Sequence, residues 1–591
     1  MSARNIMVTT VVAGMVCSLG PISGARAEAV PTPSDAMEAY RTVRGWVDSG
    51  AIDATADDVG PVSDPEGLRA ACVTMRLDGR VIGRGLSWAG DGRDLLVSAQ
   101  RAWQRGVESV GAVIGDRAAA IALDMELGGE FVPLVGETEL DFLSQINPGI
   151  DGIAVRAGER IGVTFPGQML ASGWSAQQAL THAIAPLELP QVDFATLRNR
   201  YGLVVYRFET EHLAEPVSGA EPVFLHRCGR RVSMGEVSGA GILGAAGEAA
   251  LFLQRLAWPG PEPHGIRGDY DPIADSYAPA IAPPASQAIA AWALSVYAQT
   301  PGVDAADAAR ALRSARETLA EFTLATEFED DPGLDPGALA LWLVALEESG
   351  GAGVYFEGEA AERIEKFADD ARAGLLGLAN DAERFDAQPA VIRAMVALAL
   401  SYGGDEESVG KASEIARWLY VETAPGDLVA LMPWLGLASE RLAADGKIGA
   451  EGALREMRSV IERFTIHGEE ADAGTDDLVG GVVFTRGRTP LPSWQSLRPV
   501  SFLAVMIGDD RLTGAHERGA SWRSLVESLR FAMQLQADET AGHMFVRPEA
   551  ALGGVRLALW DQRCSVNATA LALVSWCEAL RSAERVAKAA E

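Results

Sequence analysis

The feature that most constrains the fold is a change of hydrophobic period part-way along the chain. Between residues 67 and 208 apolar residues fall in short runs or alternate with polar ones. From residue 244 onward they recur every three to four residues in Ala- and Leu-rich segments. A period of two sends neighbouring side chains to opposite faces of a strand, whereas 3.6 aligns them on one side of a helix. The two halves therefore need different cores. At 591 residues the chain is several times the size of one ordinary core, so we expect an α+β domain followed by an all-α domain.

In the first half, Ala71-Cys72-Val73-Thr74-Met75-Arg76-Leu77, a turn at Asp78-Gly79 and Val81-Ile82-Gly83 read as a hairpin. Residues 95–103 have helical spacing and 119–127 are strand-like. A second hairpin joins 152–156 to 161–165 through Gly158; residues 174–184 suggest a helix and 203–208 a closing strand. Pro166 is expected to end the second strand of that hairpin. Gly83 and Gly85 read as close-packing or turn glycines rather than a ligand-cradling loop, because no phosphate-binding spacing follows them.

The ordered series Pro148-Gly149-Ile150-Asp151-Gly152-Ile153, Gly158-Glu159-Arg160-Ile161-Gly162, Phe165-Pro166, Trp174 and Tyr206-Arg207-Phe208-Glu209-Thr210 resembles the AMMECR family domain, over residues 38–215. The resemblance implies an α+β fold of two subdomains and brings no settled activity. It departs from the family at a Leu-Arg-Gly-Cys-Ile-Gly strand, whose place is taken here by Val81 to Trp88 without a cysteine. Thiol chemistry tied to that position cannot be carried over.

After a connector at 219–239, residues 240–585 hold about twelve helical segments: 244–256, 286–298, 305–322, 336–348, 361–378, 390–402, 408–420, 427–443, 451–464, 500–507, 522–535 and 568–580. Paired helices joined by Gly/Pro/Asp loops fit an α-solenoid or a closed toroid. Irregular loop lengths favour the toroid, with about six hairpins. The stretches 264–279 and 552–564 look like the pocket-side loops of six-hairpin and prenyltransferase-like α/α toroids. The Asp-x-Asp-Asp acid motif of terpene cyclases is missing, and Asp330-Asp331 with Asp335 reads as a helix cap.

Glycosidases and lyases on toroids need two convergent groups. The candidate catalytic carboxylates are Asp269, Asp271, Asp476, Asp477 and Asp561, with Tyr270, Arg498, His543 and Trp494 as substrate-binding candidates. Each also has a plain structural role open to it, as turn, cap or loop residue. Trp292, Trp342, Trp434, Trp522, Trp560 and Trp576 fit sugar platforms or, on helices, core positions.

Arg4, the apolar run 6–19 and Ala25-Arg26-Ala27 read as a signal peptide cleaved after residue 27, so a periplasmic or extracellular location is expected. The run is shorter than the roughly 20 residues of a membrane span, so no transmembrane segment is expected after cleavage. Cys72, Cys228, Cys564 and Cys577 form no CxxC and have no nearby His at ligand spacing, so neither a metal nor a cofactor is expected; one disulfide stays open. A net charge of -31 argues against nucleic acid, which demands a basic footprint. Two functional readings follow: binding or cleavage of a glycan-like or cell-envelope polymer in the toroid pocket, or a non-catalytic exported scaffold. A third, a thiol enzyme centred on Cys72, lacks an activating partner.

Overall fold

A computed structural model of the protein describes residues 30–53, 64–227, 229–328, 335–351, 356, 358–444, 446, 448–469, 471, 474–483 and 491–590. The expected export segment, Cys228 and Asp330-Asp331 lie outside the described residues. The remaining residues divide into an N-terminal α+β part built on a curled sheet and a C-terminal region that is predominantly helical.

Eight antiparallel strands make the N-terminal sheet: β1 (Ala70–Leu77), β2 (Arg80–Ser87), β3 (Ile121–Gly128), β4 (Val132–Pro133), β5 (Asp151–Ala157), β6 (Arg160–Thr164), β7 (Val204–Ala214) and β8 (Val223–Leu225). Their order is β2-β1-β3-β7-β5-β6, with β4 and β8 also on β7. Both expected hairpins form. Asp78 and Gly79 turn the first with φ of 50° and 73°, a conformation that the primed hairpin turns require. Pro166 ends β6 as expected, and then begins the helix Pro166–Ser172, where its missing N–H costs nothing. β8 lies inside the stretch read as connector and extends the sheet past residue 215.

Strand alternation divides the two faces of this sheet. Val73, Met75, Leu123, Met125 and Leu213 pack on one face under the helices Pro33–Ser49 and Asp94–Val110. Further along the same face Ile153, Val155 and Val205 make a second core with Ala176–Ile184 and Phe194–Tyr201. Gly83 and Gly85 let the Asp94–Val110 helix approach β2: a Cβ on them would sit 2.0 Å from Ala102 O and 1.8 Å from Ser98 O. The opposite face combines a small aromatic core at Phe165 and Phe208 with buried polar residues.

In the C-terminal region each expected helical segment is helical, with ends shifted by up to ten residues, the last helix running on to Ala590. The exception is 427–443, which breaks into Pro425–Leu428, a short turn and Trp434–Ala444, because Pro433 has no N–H to continue the ladder. Helix Pro284–Ala298 packs on Pro336–Gly351 and on Val566–Ala590. Pro336–Gly351 packs on Ala390–Ser401, Ala390–Ser401 on Trp434–Ala444, and Leu497–Ile507 on Val566–Ala590. Gly436 lets Phe502 come against Trp434–Ala444, since a Cβ there would lie 2.6 Å from its ring. Trp292, Trp342, Trp434 and Trp576 are core residues of these contacts rather than exposed platforms; Trp494, Trp522 and Trp560 are partly buried against the same core.

The two stretches expected as pocket-side loops meet, but as strands. β9 (Asp269–Asp271), β10 (Ser276–Ala278), β11 (Arg556–Ala558) and β12 (Asp561–Cys564) form one small sheet in the order β10-β9-β12-β11, with Tyr270 opposite Cys564. Among the described residues, no helix is long and apolar enough to cross a membrane.

Candidate functional site

Between its two cores the sheet is left open, and there the odd-numbered residues of β7 face a cleft of about 970 Å³. Arg207, Glu209 and Glu211 line it from β7, Asp151 from β5, and His226 and Arg231 from the segment after β8; Gly474 and Thr475 of the helical region close one side. The cleft therefore lies where the two parts of the chain meet.

Asp151 and Glu209 are directly opposed across the β5–β7 ladder, which puts their side chains on one face within about 5 Å at Cβ. Asp151 is buried, accepts from Asn147 N at 2.6 Å and lies 3.6 Å from Arg207 Nη1. Burial is the largest influence on its carboxyl and pushes it up to about 6, with Glu209 adding to the rise. Glu209 itself is exposed. The wall of the cleft thus carries a buried carboxyl of raised pKa directly beside an exposed one.

Asp477 bounds this region from the helical side. Arg227 Nε donates to its Oδ2 at 2.6 Å, and His226 Nε2 lies 3.4 Å from Oδ1. Arg231 donates to His226 Nδ1 at 3.0 Å, so that nitrogen accepts and the ring hydrogen sits on Nε2, toward Asp477. Despite burial, these partners lower Asp477 to about 2. Arg227 also donates to Pro148 O, so one side chain ties the loop before β5 to the helical region.

On the other face of the sheet, the even-numbered His212 of β7 donates from Nε2 to Asp124 Oδ1 of β3 at 2.7 Å, and Arg76 Nη2 donates to Asp124 Oδ2 at 3.2 Å. His543, on the short turn Ala541–Met544 of the helical region, covers this pair with its ring 5.8 Å from that of His212. Glu126, next on the same face, accepts from Gly167 N at 2.7 Å. A second pocket, about 270 Å³, reaches Arg76 and His543 from outside.

The sequence-derived candidates fall into separate places. Asp269 accepts from Val566 N at 2.8 Å and caps the last helix. Asp271 turns the chain through Ile273 N and Ala274 N, both at 3.0 Å. Asp561 pairs with Arg563, whose charge is also felt by Asp269 and Asp271. Tyr270 donates to Asp275 at 3.0 Å. Asp476 pairs with Arg231 at 3.2 Å beside the cleft, with Asp477. Arg498 is half-buried on Leu497–Ile507, and burial lowers its pKa; Trp494 sits just before it. His543 is fully buried against the sheet rather than in solvent.

Asp335 accepts from Gly337 N at 3.2 Å, as a helix cap does. Cys72, Cys564 and Cys577 are buried free thiols. Burial raises all three, so Cys72 offers no thiolate and the thiol-enzyme reading loses its nucleophile.

A scan against protein-family models and a search of curated proteins found no match. Among solved structures, the chain is similar to an uncharacterized protein from Pyrococcus horikoshii, at 15% identity over 32% of this chain and 97% of that one, with a TM-score of 0.26.

Asp151 and Glu209 both stand in the motifs quoted above, yet composition and spacing gave no reason to pair them. Their pairing depends on β5 lying against β7, with some fifty residues between them in the chain. His212 and His543 are further apart still, and only the docking of the two halves brings them together.

Proposed function

We propose that this is an exported two-domain protein that binds and cleaves a glycan-like polymer, with Asp151 as general acid and Glu209 as the partner carboxylate. The observation that carries this reading is their cross-strand opposition on the wall of the 970 Å³ cleft. Glycoside hydrolysis works with such a pair, one carboxyl protonating the leaving oxygen and the other assisting attack. Arg207, Arg231 and Glu211 add the hydrogen-bonding groups that a polyhydroxylated ligand needs, and the exposed ring of Phe224 offers a stacking face.

The finer architecture belongs to the same proposal. The N-terminal part is read as an AMMECR-like domain on the motifs quoted above. The helical region is read as a closed α/α toroid of about six hairpins; the support is the run of helix contacts from Pro284–Ala298 to Trp434–Ala444, the approach of Gly436 to Phe502, and the return through Val566–Ala590 to Pro284–Ala298. Export rests on the leader-like residues 1–27.

A second reading, a non-catalytic scaffold, is favoured by one observation: Asp269, Asp271 and Asp561 are each engaged in a structural cap, turn or ion pair. The experiment that separates the two incubates residues 28–591 with polysaccharides and peptidoglycan fragments, alongside Asp151→Asn, Glu209→Gln and an Asp269→Ala, Asp271→Ala double variant. New reducing or unsaturated ends from the parent and the double variant, but not from the first two, support cleavage in the cleft. Loss only in the double variant moves the chemistry to the small sheet, and no turnover by any form leaves the scaffold.

A further inference from the structure

We propose that Asp124, His212 and His543 form a binding site for a divalent transition-metal cation of the Zn²⁺ class, shared between the sheet and the helical region. One ligand atom from each of the three lies within 4.8 Å of the others, and all three side chains are buried. Two imidazoles and one carboxylate are a donor set that suits Zn²⁺ and open-sided catalytic metals.

The hydrogen bonds prepare these atoms for an ion. His543 donates from Nδ1 to Thr540 O at 3.0 Å, which fixes the tautomer and leaves a lone pair on Nε2. That Nε2 is buried and has no hydrogen-bond partner, and an orphaned buried acceptor is costly unless something occupies it. Metal-binding histidines are typically held in this way, by a carbonyl on the other ring nitrogen. Arg76 engages Asp124 through Oδ2 and so leaves Oδ1 to His212 and to the ion.

Binding replaces the proton between His212 Nε2 and Asp124 Oδ1, which is released to solvent as the ion enters. With metal–ligand distances of about 2.1 Å, a tetrahedral ion holds its ligand atoms about 3.4 Å apart. The 2.7 Å contact therefore opens by about 0.7 Å, and His543 closes in. The pocket of about 270 Å³ reaches His543 and Arg76, which gives water or a small anion an approach to the remaining coordination position.

This site is independent of the cleft chemistry, which lies on the opposite face of β7. It is also distinct from the group His226, Asp476 and Asp477, whose ligand atoms are equally close together. There two guanidiniums, Arg227 and Arg231, pair with Asp477 and Asp476, against the single Arg76 beside Asp124.

The test is titration of the chelator-stripped full-length protein with Zn²⁺ by calorimetry, and with Co²⁺ by visible absorption, whose bands read the ligand geometry. The parent is expected to take up about one equivalent and to unfold at a higher temperature when loaded. His543→Ala and Asp124→Asn are expected to lose uptake and the thermal shift, while His226→Ala keeps both. His543→Gln fills similar space, and circular dichroism shows whether each variant is folded. Failure of the folded parent to bind, uptake unchanged in a folded His543 variant, or loss confined to His226→Ala would each overturn the proposal.

Discussion

Arg227 Nε lies 2.6 Å from Asp477 Oδ2, and both side chains are about 1% exposed. Since the same guanidinium donates to Pro148 O, this pair fastens the helical region to the loop that leads into Asp151. Asp477→Ala leaves a buried, uncompensated guanidinium and is expected to cost about 3–5 kcal/mol. Urea unfolding of the variant beside the parent measures it.

The same pair sets an acid limb. Asp477 is lowered to about 2 from an ordinary 3.8, so its contribution is fully present above pH 4 and is lost as pH falls through 2. That contribution is about 2 kcal/mol. The difference between parent and Asp477→Asn in chemical unfolding is expected to shrink across that interval.

Asp151 behaves in the opposite sense. Its native carboxyl is raised to about 6, so the native state binds more protons than the unfolded one between pH 4 and 6, and stability falls as pH rises through that range. Asp151→Asn is expected to be more stable than the parent above pH 6, by up to about 3 kcal/mol, and to converge with it below pH 4. Thermal melts at pH 4 and 7 check this.

Under the glycan reading, Asp151 must be protonated to act. Turnover is expected to decline about tenfold per pH unit above pH 6, and Asp151→Asn to lose about 10²-fold or more. A stabilised but inactive variant would mark Asp151 as a residue held for chemistry; equal turnover in parent and variant would refute the role.

Gly85→Ala drives a methyl to within 1.8 Å of Ser98 O. The Asp94–Val110 helix must move off β2, and a loss of about 2 kcal/mol or more is expected, against no loss for Gly45→Ala, a helical position with nothing within 4 Å of the added methyl. Calorimetric melting of both variants decides it.

Much of the fold was legible because local rules agreed with the final structure. Asp78-Gly79 and Gly158 forced hairpins, and the 3.6-residue pattern marked the helices. Where a local rule met a competing one, the reading slipped: the periodicity through 427–443 was real, but Pro433 interrupts the helix. The site was less legible. Asp269 and Asp271 drew notice as loop carboxylates, yet Asp271 is taken up by the backbone two and three residues on, and Asp269 by Val566 N at the far end of the chain. Asp151 is perturbed by burial and by a partner 58 positions away, and His543 by strands from the other half of the chain. No window of sequence contains such information.

β7 has a consequence for how this protein can change over time. Glu209 and Glu211 point into the cleft while His212, one step along, points to the buried histidine–aspartate cluster. Insertion or deletion of a single residue between them would turn one set of side chains over to the wrong wall. Point substitutions can tune each wall separately, but the spacing within this stretch is common property: neither wall can be lengthened or shortened without dismantling the other.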